Sequence, residues 1–100
     1  MLTENQMSLS TRKIERIAGA LVVGVPERGK VSVVYLTPRG GLMRETVFCS
    51  GWQDLTPMES CIDLQWYLSG ENHIGIKVLG LTPESVAEPV RKAILERMNE

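Results

Sequence analysis

The chain predicts an α+β fold, with helices packed on one face of a mainly antiparallel sheet in the order α-β-β-β-α-β-α. Two observations carry this. A pair of matched helix starts, Thr56-Pro57-Met58-Glu59 and Thr82-Pro83-Glu84-Ser85, sets a capping hydroxyl ahead of a proline whose missing amide costs nothing at the first helical position. A run of strand-like segments, separated by Gly-bearing turns, precedes the first of these starts. One hundred residues with 43% hydrophobic content support one core, so residues 10–100 are read as a single domain and the polar residues 1–9 as a flexible N-terminal arm.

Each element follows from its own pattern. Apolar residues at Ile14, Ile17, Ala18, Leu21 and Val22 form the stripe of a helix capped by Ser10 or Thr11, while Leu21 to Val25 is rich in β-branched residues. The reading is a short helix to about Gly19 and a strand from Ala20 to Val25, with boundaries good to about two to four residues. Pro26-Glu27-Arg28-Gly29 then closes a hairpin into a second strand, Lys30 to Leu36, which is apolar on both faces and therefore central. Thr37-Pro38-Arg39-Gly40-Gly41 makes the next turn. The third strand, Leu42 to Cys49, sets Met43, Val47 and Cys49 against Leu42, Arg44, Thr46 and Phe48.

The second half reads as helix, strand, helix. Pro57 to about Ser69 carries a broad apolar band (Met58, Cys61, Ile62, Leu64, Trp66, Tyr67, Leu68) and is ended by Gly70. His73 to Leu81 is the fourth strand. The last helix starts after Thr82, with Leu81 stapled on Val86 and a buried face of Val86, Val90, Ala93, Ile94 and Met98; Pro89 predicts a kink or restart near Ala87.

Composition narrows the function classes. The net charge of -1 argues against a partner held by bulk charge, although the balance is uneven: seven basic and four acidic residues up to Ser50, four basic and eight acidic beyond it. The start lacks the pattern of a secretory signal and the longest apolar run, Ile17 to Val25, is too short to span a bilayer, so the expected location is cytoplasmic with no membrane partner. Cys49 and Cys61 have no Cys-x-x-Cys spacing and read as buried free thiols, with no metal and no cofactor implied.

Four constellations remain. Glu59 and Asp63, four apart on the predicted helix and preceded by Asp54, read as a solvated acidic face before a magnesium site. His73, the only histidine, has no nucleophile or orienting acid placed beside it by the sequence, whether Cys49, Cys61 or Ser60, so no catalytic residue is assigned. Arg28, Lys30, Arg39 and Arg44 lie in or beside the meander turns and form a basic edge if the strand order brings the hairpin tips together. Trp52, Trp66 and Tyr67 place three of the five aromatics within fifteen residues, the residue types most enriched among interface anchors; Trp52 can equally fold back as a lid beside Met58 and Ile62.

The expected function is a small intracellular protein–protein interaction or regulatory protein, non-catalytic and homodimeric in one version. Its partner-binding residues are Trp52, Trp66 and Tyr67 with Arg39 and Arg44 as a polar rim. The alternative is nucleic-acid binding through Arg28, Lys30, Arg39 and Arg44.

Overall fold

The structure is a computed structural model that describes residues 13–49, 54–69 and 72–100. Its described residues form five strands and one helix: β1 (Lys13–Val22), β2 (Lys30–Leu36), β3 (Leu42–Phe48), β4 (Cys61–Ser69), β5 (Asn72–Leu81) and α1 (Glu84–Met98). The sheet runs β3-β2-β1-β4-β5 with every neighbouring pair antiparallel. It curls into a half-barrel, so that β5 comes towards β3 without entering its hydrogen-bond ladder. The observed order is therefore β-β-β-β-β-α, and the predicted α-β-β-β-α-β-α is corrected at two places.

The first correction is β1, which is a strand where a helix to Gly19 is predicted. Its ladder to β4 slips between Ile17 and Ala20, and Gly19 sits in this bulge at φ +91°. Ile17 and Ala20 consequently both face the inner core although they are three residues apart. A bulge that shifts alternation by one residue imitates helical spacing.

The second correction is β4, which replaces the predicted helix from Pro57 to Ser69. Thr56 does start a turn, its carbonyl accepting from the amides of Ser60 at 2.9 Å and Glu59 at 3.2 Å, but Met58 adopts φ +67° and the turn closes after one cycle. From Cys61 the chain alternates. Ile62, Leu64 and Trp66 enter the inner core, while Cys61 faces α1, so the broad apolar band is that of a strand buried on two faces. Gly70, the predicted helix end, lies outside the described residues, as does the arm over 1–9.

The meander is as the alternation predicts. Glu27 and Lys30 exchange two hydrogen bonds of 2.9 Å around Arg28 at φ +53° and Gly29 at φ +76°, the paired positive φ values of a type I′ hairpin turn. The β2–β3 turn closes through Thr37, whose amide donates to Gly41 O at 2.8 Å and whose Oγ1 accepts from the Gly41 amide at 3.0 Å.

Side chains fill both faces of the sheet. Ala20, Val22, Val31, Val33, Tyr35, Val47, Ile62, Leu64 and Trp66 pack inside the curl, with the Tyr35 and Trp66 rings 4.8 Å apart. Leu21, Val34 and Cys61 face outward against Ile94 of α1, joined by Ala87, Val90 and Met98. The expected staple does not form a buried contact: Leu81 is 61% exposed and Val86 37%. Nor does Thr82 cap α1. Its hydroxyl donates to Asp63 Oδ1 at 2.8 Å, and Pro83 occupies the cap position without a side-chain bond. The helix continues unbroken through Pro89, whose missing amide takes one donor from the Ser85 carbonyl, so the predicted kink or restart near Ala87 does not break it.

Candidate functional site

The path of α1 decides which part of the outer face stays open. At its midpoint, Arg91 Nη1 donates to Met58 O at 3.4 Å, beside the beginning of β4; near its end, Arg97 Nη2 donates to Gly40 O at 2.6 Å in the β2–β3 turn. The helix thus crosses obliquely and covers Val34, Leu36 and Leu42. At the other end of β2 and β3 it covers nothing.

The alternation of these strands then fixes what is displayed. Lys30 stands opposite Phe48, Ser32 opposite Thr46 and Val34 opposite Arg44, all on the outer face. Lys30, Ser32, Arg44 and Thr46 are exposed, Phe48 is 74% exposed, and Val25, from the segment leading into the hairpin turn, is 77% exposed. The Lys30 ammonium lies 5.6 Å from the centroid of the Phe48 ring, a cation–π contact that joins the charged and apolar parts of the surface. A shallow hollow of about 330 Å³ lies between Val25, Arg28, Lys30, Ser32 and Thr46.

This surface is electrostatically unbalanced. Among the described residues, no carboxylate lies within salt-bridge distance of Arg28, Lys30 or Arg44, whereas Arg16, Arg91 and Arg97 each hold one. Glu27 flanks the hollow, and Glu45 points to the other side of the sheet, where it accepts from Tyr35 Oη at 3.4 Å. Burial, reinforced by the Glu45 charge and this hydrogen bond, pushes the Tyr35 phenol well above its ordinary range.

The predicted basic edge is brought together only in part. Arg28, Lys30 and Arg44 share the open face, but β1, β2 and β3 form an antiparallel meander whose two turns lie at opposite ends. Arg39 therefore stands away from Arg28 by roughly the 20 Å length of a seven-residue strand.

The aromatic cluster fares differently. Trp66 lies inside the curl against Tyr35 and is 6% exposed, so it offers no open ring to a partner as folded. Tyr67 is on β4, in register with Ile14 and Gly75, and its side chain lies outside the described residues; so does Trp52 altogether, with its lid and anchor readings. The His73 side chain is likewise outside them, its backbone on β5 in register with Leu68 of β4.

Asp63 and Glu59 do not form a pair. Glu59 is exposed in the turn, while Asp63 is 4% exposed and accepts from Arg16 Nη2 and Thr82 Oγ1, both at 2.8 Å. Burial alone pushes the Asp63 carboxyl up, but the hydrogen bonds from Arg16 and Thr82, the Arg16 charge and the Gly19 amide together hold it below the usual carboxylate range. This carboxylate ties the β1 bulge to the β5–α1 connection and is used up in doing so. The described residues contain no group of three His, Cys, Asp or Glu side chains arranged to hold a metal. Cys49 and Cys61 are buried free thiols, both pushed up by burial.

Phe48 and Val25 are the members of this surface that the aromatic-cluster argument overlooks. The signal for Phe48 is the alternation itself, which sets it on one face with Arg44 and Thr46. No helix among the described residues is long and apolar enough to cross a membrane. Comparison of the chain with protein-family models, with curated proteins and with solved structures gives no match.

Proposed function

We propose that the chain is a small, non-catalytic interaction module of the cytoplasm that binds a protein partner through the open half of its outer sheet face. Phe48 and Val25 are the apolar anchors, and Lys30, Arg44 and Arg28 form the charged rim. The observation that carries this reading is the pairing of two large side chains, 77% and 74% exposed, with three cations that no described carboxylate neutralises. Single exposed apolar residues need no explanation, but an aromatic and an aliphatic residue bridged by a lysine and bordered by arginines have the make-up of an interface centre and rim. The two buried free thiols fit a reducing compartment.

The three cations on one face also suit phosphates, and nucleic-acid binding is the second reading. It is the weaker one, because among the described residues Phe48 is the sole aromatic of this face and Arg39 lies at the opposite end of the meander. The test is a photo-crosslinking residue placed at Phe48 and, as control, at exposed Lys77 on β5, in the native cell. The reading expects a discrete protein adduct at position 48 that is lost when Val25 is changed to Ser. Equal labelling at both positions, or an adduct only at 77, refutes it.

A further inference from the structure

Resting on that reading, we infer that the partner segment is acidic and extended, with two carboxylates spaced four residues apart in a strand-like conformation. The spacing comes from the ladder. Lys30 stands opposite Phe48, and Arg44 stands opposite Val34, four residues further along β2; at the rise of a strand this separates the two cations by about 13 Å along the sheet. An extended peptide repeats its same-side residues every two positions, so residues i and i+4 span the same about 13 Å while i+2 falls between them. A helix approaches this distance only with carboxylates about seven or eight residues apart, because its i and i+4 residues lie only about 6 Å apart along the axis, so the dependence on glutamate spacing separates the two conformations.

The central row accounts for the middle of the segment. Ser32 and Thr46 face each other between the cations, exposed and short, leaving room for a side chain from above. An apolar residue at i+2 lies over them and reaches the Phe48 ring. Lys30, already held over that ring, presents its ammonium at the edge of the apolar patch, where a carboxylate at i meets it with partial desolvation. Arg44 offers a planar fork to the carboxylate at i+4. Carboxylates spaced this way fit the site better than a run of phosphodiesters, since the uncharged Ser32 and Thr46 row lies between the two cations and a charge at every step would fall on it unmatched.

The experiment uses the full chain and three fluorescein-labelled probes: a three-repeat peptide of Glu-Ser-Leu-Ser, the same peptide with Lys for Glu, and a short oligo-dT. Anisotropy at low salt should show binding of the acidic peptide alone, weakened about tenfold by Lys30→Glu or Arg44→Glu and several-fold by Phe48→Ala. All three positions are exposed, and an unchanged melting temperature confirms that the variants fold. A second acidic peptide of the same composition with its glutamates three residues apart, which holds no pair four apart, should bind less tightly than the first.

Preference for oligo-dT, or equal binding of the acidic and basic peptides, overturns the inference, as does indifference to glutamate spacing. Self-association that competes with the peptide and is lost in Arg44→Glu replaces the extended segment by a second copy, and also overturns it. If the crosslink at position 48 persists while the acidic peptide shows no advantage, the partner's chemistry is wrong and the surface is right. Loss of both removes the surface.

Discussion

Replacing Gly19 by Ala tests the seat of α1 on the sheet, and its cost can be worked from two independent terms. Gly19 sits in the β1 bulge at φ +91°, where an L residue is strained by about 1–2 kcal/mol. A Cβ built there lies 2.9 Å from Val90 Cγ1, 3.0 Å from Val90 Cβ and 3.2 Å from Val90 Cγ2. Val90 is β-branched and held in the outer core, so the overlap is relieved only by shifting the helix, at about 1–3 kcal/mol for overpacking. The sum is about 2–5 kcal/mol, or a melting temperature lowered by roughly 10–30 °C in a domain of this size.

A double-mutant cycle separates the terms. Val90→Ala removes two of the three close atoms but leaves the backbone strain, so Gly19→Ala should cost about 1–2 kcal/mol less in the Val90→Ala background. Thermal and urea unfolding of the four proteins reads this directly. If Gly19→Ala melts within about 2 °C of the parent chain, the bulge does not seat the helix in the way described.

Other predictions follow from the same geometry. Asp63→Ala should lose about 2–3 kcal/mol, because it strands the Thr82 hydroxyl and the Gly19 amide while Arg16, mostly in water, loses little; urea denaturation checks it. The Asp63 carboxyl is depressed in the folded state, so its contribution is present above the unfolded carboxylate pKa of about 4 and is lost as pH falls through the lower folded value; Asp63→Asn should flatten the acid limb of the stability curve. The Tyr35 phenol is raised, so the folded chain holds that proton when the unfolded chain loses it, and stability should decline above about pH 10, less so in Tyr35→Phe. Leu64→Ala, at a fully buried position inside the curl, should cost about 2–5 kcal/mol, whereas Phe48→Ala should leave the melting temperature nearly unchanged.

The parts of this fold that are legible in the sequence are those whose local and tertiary signals agree. β2 and β3 alternate cleanly, β5 is rich enough in apolar residues to read as a strand although its ladder to β4 slips twice, Gly29 and Gly40 supply the positive φ values their turns need, and α1 follows its Thr-Pro start. β1 misleads because the bulge at Gly19 puts Ile17 and Ala20 on the same side, a spacing that belongs to helices until the β4 partner is known. β4 misleads because the Thr56-Pro57 signal is genuine but closes a single turn, and because burial on two faces erases the polar stripe that separates strand from helix.

The site was legible to a similar degree. Lys30 and Arg44 could be named from charge alone, and their shared face follows from residue parity across one hairpin. That Trp66 is sealed against Tyr35, that Arg39 lies at the opposite end, and that α1 leaves Phe48 uncovered all depend on strand order and on the diagonal path of the helix. Neither is written in any local pattern.

The most direct measurement is amide chemical-shift mapping of the labelled chain as the acidic peptide is titrated in. The account predicts shifts confined to residues 25–32 and 44–48, with Lys77 and the exposed side of α1 silent. Shifts centred on β5 or on α1, with Lys30, Thr46 and Phe48 unmoved, contradict it.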